Sequence, residues 1–291
     1  MAVGNTITGS LADSLPTLIT SARIIREQEG GMPQLCDKVT LGEGIGLSWN
    51  EVSLSQLTAQ AVTETTELDN PQQMADALFT ITPTVVGIQT VISDRVAARL
   101  SKNAYAKTGQ LAQNAIQRKK DEDGLTVLDS ATTSLCGAGA TLTTGHVSAA
   151  KNQISSNATE KGNPPFRCVL HGFQLKDIEN EIVAGVGTYV VNEGLTARVF
   201  ADDYRGMVGG AQLYENGNIT IDSSDDAKGG VFAQEGIVLV QGRAPRAETR
   251  REPHIGGGAT SIFLYDEYAY GERSAGHWLF EIYSDATAPT S

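Results

Sequence analysis

Residues 78–120 read LFTITPTVVGIQTVISDRVAARLSKNAYAKTGQLAQNAIQRKK and change from a strand pattern to a helix pattern at one point. The first third is apolar and β-branched, which favours a strand, and Pro83 indicates a bulge or an edge position. Ser93 is a suitable N-cap, and Asp94 supplies an acid in the first helical turn. Apolar residues then recur every four or seven positions, so we predict a helix over 94–120.

The predicted helix is long for a chain of this size. At 1.5 Å per residue it would span about 40 Å, which exceeds the width of a small domain. It would end at Arg118, Lys119 and Lys120, where cations complement the carbonyl end of the helix dipole. A helix of this length predicts an elongated molecule.

Downstream of this helix, helix and strand patterns alternate. A helix is predicted to begin near Thr144, a strand to occupy 166–172, and a second helix to follow it. Residues 185–230 are rich in Gly, Asn and Asp and predict exposed loops, with strand candidates at 196–200 and 218–221. The alternation indicates an α/β centre.

The C-terminal part of the chain returns to strand patterns. Strands are predicted at 237–240, 261–265 and 278–283. Between the first two lies an interleaved charge strip, RAPRAETRRE at 243–252. We expect the strand before the long helix and these late strands to share one sheet, which would make the α/β centre an insertion.

The N-terminal part does not form a core by itself. Residues 1–40 are apolar only in patches broken by Pro and Gly, so they predict an arm that lies on another surface. Residues 42–76 are polar and lean toward strand, which is typical of a functional extension. Within them, Trp49 is either an anchor for a partner or an ordinary packing residue.

Composition excludes several classes of function. The 291 residues carry 22 basic and 34 acidic side chains, a net charge of −12, so wrapping of nucleic acid by a basic surface is excluded. No apolar run reaches the length of a membrane span, and no signal peptide is visible. The three cysteines are widely spaced without a CxxC pair, which argues against a disulfide framework and a zinc site.

Motifs for chemistry are not found in the sequence. The four histidines are isolated, and the glycine-rich segment 137–145 lacks the Gly-Lys-Ser/Thr of a phosphate loop. The acidic turn 222–226 lacks the Glu that would complete a calcium loop, since Ala233 stands there. We therefore predict no catalytic residue, no cofactor and no metal, and a protein that is not an enzyme.

The order of these elements resembles the major capsid proteins of tailed bacteriophages, with the Hong Kong 97-type fold, an α+β fold. The resemblance rests on the arm, the polar extension, the strand, the very long helix, the inserted α/β part and the strand-rich return. The closing segment, with IVLV at 237–240, the charge strip and GHWLFEIYSDATAP at 276–289, is especially similar. The resemblance covers nearly the whole chain as an order of elements.

The resemblance implies a division of the chain. It would comprise an N-terminal arm (1–41), an extended loop (42–77), a peripheral domain (78–133) with a spine helix at 94–120, an axial domain (134–230) and a return to the peripheral domain (231–291). The extended loop would lie over a neighbouring subunit. The loops of the axial domain would meet around five-fold and six-fold axes.

The resemblance also implies function and partners. The chain would assemble with itself as pentamers and hexamers into the icosahedral head that encloses the double-stranded DNA of a tailed phage, in the host cytoplasm. Other partners would be a portal protein, a separate scaffolding protein and a decoration protein, with no membrane and no sequence-specific contact to the DNA. We predict subunit-interface residues at Trp49, Glu51, Glu64, Glu67, Arg243, Arg246, Arg250 and Arg251.

Two other functions remain open at this point. An encapsulin-like shell of a bacterial nanocompartment would share the fold and enclose a protein cargo. A soluble α/β enzyme or a carbohydrate-binding module would stay small in solution and possess a convergent polar pocket.

Overall fold

One long helix contacts both large β-sheets of the protein in this computed structural model. The structure describes residues 30–42, 44, 46–65, 71–98, 103–186 and 206–290. The helices are α1 (Met32–Leu35), α2 (Asp94–Ala97), α3 (Asn103–Asp129), α4 (Thr144–Ser155) and α5 (Gly172–Val186). The strands are β1 (Asp37–Thr40), β2 (Trp49–Leu54), β3 (Asp76–Ile81), β4 (Thr84–Ser93), β5 (Ser134–Cys136), β6 (Phe166–Leu170), β7 (Met207–Val208), β8 (Ala211–Glu215), β9 (Asp226–Ala233), β10 (Ile237–Gln241), β11 (Arg246–Glu252), β12 (Ala259–Glu272) and β13 (Leu279–Asp285).

The first sheet is built around β12. Strand β4 pairs antiparallel with one edge of β12, while β10 and β11 pair antiparallel with successive parts of its other edge. Strand β1 adds to β10 in parallel, so the sheet has five strands. The expectation that the strand before the long helix shares a sheet with late strands is confirmed for β4, β10 and β12.

The second sheet has six strands in the order β5-β13-β9-β6-β8-β7. Helices α4 and α5 cover it, and Val147, Ile154 and Ile178 of these helices share one buried cluster with Cys168 of β6. The helix near Thr144, the strand after 166 and the helix that follows it are confirmed. Strand β13 lies between β5 and β9, so the expectation that all late strands join the first sheet was wrong for this strand.

Three sequence-based predictions of element bounds need correction. The helix predicted over 94–120 is divided into α2 and α3, and α3 continues to Asp129. The strand predicted over 78–92 is two strands in different sheets, because the chain leaves the ladder at Thr82 and Pro83. Of the strand candidates in the loop region, 218–221 contributes only an isolated bridge, and 196–200 lies outside the described residues.

Helix α3 continues past the basic residues because Lys120 is buried and paired. Its Nζ lies 3.1 Å from Asp266 Oδ2 and 4.7 Å from the centre of the Tyr268 ring. The Tyr268 hydroxyl in turn donates to Asp123 Oδ2 at 2.8 Å. The basic run that resembled a helix end is therefore the point where α3 is joined to β12.

Asp121, the residue after Lys120 in α3, also joins this helix to other parts of the chain, and it is fully buried. Its carboxylate accepts hydrogen bonds from the Met32 backbone N–H at 3.0 Å and from the side-chain amides of Asn216 at 2.7 Å and Asn218 at 2.9 Å. A Cβ on Gly30 would lie 1.7 Å from Asp121 Cγ, so this approach requires glycine.

The core around α3 is shared by the two sheets. Leu125 and Leu128 of α3 belong to one buried cluster with Phe232 of β9 and Leu239 of β10. Since β9 belongs to the second sheet and β10 to the first, α3 sets the position of one sheet against the other.

We predict that Asp121→Ala lowers the free energy of unfolding by about 2–4 kcal/mol, because it leaves a buried N–H and two amides without their acceptor. Glu122→Ala, at the next, exposed position of α3, is the control and should cost about 0.5 kcal/mol or less. Urea unfolding of the two variants and the parent chain measures this. Equal effects of the two substitutions would contradict a central role for Asp121.

Candidate functional site

Strands β2 and β3 form a separate two-stranded ribbon, which we define as the described residues 49–65 and 71–81. Beyond the strands its two legs remain linked, since the Ser55 N–H donates to the Ala75 carbonyl at 2.8 Å and the Thr58 N–H to Gln72 Oε1 at 2.8 Å. At about 3.3 Å per residue, the paired part from Trp49 to Thr58 reaches roughly 30 Å. The ribbon is therefore a preorganised arm.

The ribbon exposes apolar side chains along its length. It carries six of the ten large hydrophobic residues that are exposed in the described part of the chain. These six are Val52, Leu54, Leu57, Val62, Met74 and Leu78. Because soluble monomers rarely expose extended apolar surface, this pattern indicates that another surface covers the ribbon.

The base of the ribbon is packed against the first sheet of its own chain. Trp49 meets Phe79 edge to face, with ring centres 6.0 Å apart, and both contact a cluster formed by Ile81, Val238 and Val240. Trp49 thus has the packing role within the chain that the sequence left open. Its predicted contact with a neighbouring subunit stays a prediction.

Arg273, the residue that follows β12, forms ion pairs at the base of the ribbon. Its guanidinium lies 2.7 Å from Glu51 Oε2 on the ribbon and 3.0 Å from Asp37 Oδ2 on β1, and it donates to the Glu235 carbonyl at 2.8 Å. It also lies 5.8 Å from the centre of the Trp49 ring. Although burial acts to lower the pKa of Arg273, the bonds to the two carboxylates raise it above the ordinary value.

Sequence reasoning missed Arg273 because it stands in a turn, in the run GERSAGHW at 271–278, away from the charge strip. Glu51 was predicted as an interface residue, and its carboxylate accepts a hydrogen bond from Arg273. Glu64 is exposed at the turn of the ribbon, and Glu67 lies outside the described residues.

Three of the four predicted arginines, Arg246, Arg250 and Arg251, lie on β11, Arg243 lies just before it, and all four are exposed. Arg246 lies 3.4 Å from Glu248, and Arg250 lies 3.2 Å from Glu252, both within β11. The other two arginines pair with residues of other elements: Arg251 of β11 with Asp94, and Arg243, which precedes β11, with Glu267 at 3.9 Å. The hydrogen bond from Arg251 lowers the pKa of Asp94.

The ribbon base and the charged strand lie at opposite ends of β12. Strand β11 pairs with residues 259–265 of β12, whereas β10, which contacts the ribbon base, pairs with 268–272. Along an extended strand the centres of these two regions, at residues 262 and 270, are about 26 Å apart. The described residues among the predicted interface residues therefore lie in two regions. Trp49, Glu51 and Glu64 belong to the ribbon, and the four arginines lie on β11 or just before it.

The described residues contain no group of three or more His, Cys, Asp or Glu side chains placed to hold a metal ion. Burial raises the pKa of the Cys36 thiol to about 12 and that of Cys168 further, so both thiols stay protonated and unreactive. Within the same residues, no helix has the length and apolar character needed to cross a membrane.

The fold is the Hong Kong 97-type fold of tailed-phage capsid proteins, as the order of elements predicted. The chain is similar to the cyanophage Pam1 capsid asymmetric unit, with a TM-score of 0.74 and 11% identity over 99% of this chain and 100% of that chain. It is also similar to the capsid of the cyanophage P-SCSP1u, with a TM-score of 0.71 and 13% identity over 98% and 97%. A third similar structure is that of Mycobacterium phage Che8, with a TM-score of 0.70 and 15% identity over 99% and 100%.

The likeness is one of structure and not of sequence. No protein-family model and no curated protein matches this sequence.

We predict that Arg273→Gln loosens the base of the ribbon, because it leaves the Glu51 and Asp37 carboxylates without their shared cation. Amide hydrogen exchange in β2 and β3 should rise about tenfold, and the free energy of unfolding should fall by about 1–3 kcal/mol. Arg243→Gln, which removes an exposed arginine, should leave both quantities nearly unchanged. Unchanged exchange in Arg273→Gln would show that apolar packing alone holds the ribbon.

Proposed function

We propose that the protein is the major capsid protein of a tailed phage, and that it assembles as pentamers and hexamers into the icosahedral head around double-stranded DNA. The observation that carries the proposal is the ribbon, whose exposed apolar residues project from a base held by Arg273. A projection that is rigid at its base and apolar along its length fits a neighbouring subunit. The shared capsid fold supports the same role.

The division into domains follows from this proposal, except that β3 and β9 cross the bounds at 77/78 and 230/231 and that β13 changes domain. The five-stranded sheet corresponds to the peripheral domain (78–133 and 231–291) and the six-stranded sheet to the axial domain (134–230). Strand β13 is assigned to the axial domain because it pairs with β9 and β5. Strand β1, at the end of the N-terminal arm (1–41), completes the peripheral sheet beside β10.

The charge of the chain fits a container for DNA held without specific contact. A net charge of −12 gives no overall attraction for the phosphate backbone, so packaged DNA would not adhere to the shell by this field. The proposed partners are the chain itself, a portal protein, a separate scaffolding protein and a decoration protein. The proposed location is the virion, after assembly in the host cytoplasm.

Replacing residues 55–75 by an Asn-Gly turn tests the role of the ribbon directly. This variant keeps β2, β3 and the Trp49 contacts, so the subunit should remain folded while closed particles disappear. Electron microscopy and size-exclusion chromatography of the parent and the variant, each with and without scaffolding protein, measure this. Particles of normal yield from the variant, or a parent chain that stays monomeric under all these conditions, would contradict the proposal.

Replacing only apolar side chains of the ribbon by polar ones should also reduce the formation of particles. Leu54 and Leu57 are 65% and 54% exposed, so the double variant Leu54→Ser/Leu57→Ser should change the free energy of unfolding by about 0.5 kcal/mol or less. The yield of particles should nevertheless fall about tenfold or more, because the variant loses apolar surface. Gln56→Ser/Gln60→Ser is the control on the same segment and should assemble normally. Equal yields from the two double variants would remove these leucines from the interface.

The contents of the particles distinguish a phage head from a nanocompartment. The proposal predicts particles that are filled with DNA in infected cells. Particles that instead retain a protein cargo and no DNA would favour the encapsulin-like function.

A further inference from the structure

Strand β11 has one edge without a partner strand among the described residues. It pairs with β12 over Arg246–Glu252 and with no other described strand. The residues from 246 to 251 are exposed, so the free edge offers backbone N–H and C=O groups to solvent. Such an edge can accept another strand.

The charges of β11 are antisymmetric about its centre. Side chains alternate between the faces of a strand, so Arg246, Glu248, Arg250 and Glu252 share one face. If a second copy of β11 lies antiparallel and is centred on Thr249, Arg246 is opposite Glu252 and Glu248 is opposite Arg250. Every charged residue of this face is then opposite a charge of the other sign, at the cross-strand distance of about 5 Å.

The opposite face of β11, which carries Ala247, Thr249 and Arg251, places no like charges opposite each other in this register. In the same register Ala247 is opposite Arg251 of the second copy, and Thr249 is opposite its own equivalent. The charge of Arg251 is already compensated by Asp94. No like charges are directly opposed on either face.

The charge pattern also selects this register over its neighbours. Moving the centre by one residue, to Glu248 or Arg250, places arginine opposite arginine or glutamate opposite glutamate, which destabilises a strand pair. Edge strands that are protected against pairing carry charges that repel a second strand. The order on β11 attracts a second copy in one alignment.

We propose that β11 pairs with β11 of a second copy across a two-fold axis centred on Thr249, which joins two five-stranded sheets into one. This inference rests on the proposed function, because a closed shell of pentamers and hexamers contains two-fold axes between neighbouring capsomers. A two-fold contact uses the same patch on both subunits, as this antisymmetric strand requires.

Cysteine crosslinking tests the register. Thr249→Cys places the new thiol opposite its own equivalent, within reach of a disulfide, so oxidised particles should yield disulfide-linked dimers on a non-reducing gel. Ala247→Cys is the control, because its equivalents would be about 13 Å apart, too far for a disulfide. Crosslinking of Thr249→Cys no stronger than that of Ala247→Cys would overturn the proposal.

A charge exchange separates contacts between chains from those within a chain. Glu248→Arg and Arg250→Glu alone should each raise the concentration needed for assembly about tenfold, since each opposes like charges across the axis. The double variant Glu248→Arg/Arg250→Glu restores opposite charges across the axis, although it sets like charges beside Arg246 and Glu252 within each strand. We expect the double variant to assemble within about threefold of the parent. A double variant as poor as the single ones would overturn the proposal.

Failure of this proposal and failure of the proposed function give different results. If the parent forms closed particles but the Thr249→Cys particles do not crosslink, the strand pairing is wrong and the shell function stands. If the parent forms no particles under any condition, the shell function fails. Crosslinking of soluble Thr249→Cys at high concentration would then still support the two-fold pairing, and its absence would overturn that as well.

Discussion

The buried carboxylate of Asp121 is the interaction on which the arrangement of the protein depends. It receives hydrogen bonds from the chain before β1 and from two asparagines of the loop after β8, while the adjacent Lys120 pairs with Asp266 on β12. A buried charge is costly unless it is fully paired, so these contacts must form together. Helix α3 therefore fixes the two sheets at a defined position.

A defined body gives the ribbon a defined direction. Its base is held by the Trp49 and Phe79 rings and by Arg273, which contacts β1, β2 and the turn before β10. Beyond this base the legs are linked mainly to each other, and the apolar residues face outward. Polar hydrogen bonds link the two legs, and the exposed apolar side chains are of the kind found on surfaces that bind a partner.

The charged strand illustrates how one set of side chains can act within the chain and between chains. Arg246 and Glu248 of β11 are both exposed, whereas Arg250 pairs with the buried Glu252, so the first of these ion pairs contributes little to the stability of the subunit. In the strand pairing proposed above, the order of these charges along β11 selects the partner strand and the register. Charges of this kind contribute more to specificity than to the folding of the chain that carries them.

The sequence by itself indicated most of the helices and strands, because strand and helix periodicities are local signals, and the order of these elements resembled that of the capsid fold. Only the tertiary structure decided the end of α3, the place of β13 and the role of Arg273. Lys119 and Lys120 resemble a helix end until Asp266, 146 residues beyond Lys120, is seen beside it. Likewise the partners of Arg273 at Glu51 and Asp37 are 222 and 236 residues away in the chain. Pairing of charges over such sequence distances leaves no periodic trace in a sequence, since its energy depends on residues that only the fold brings together.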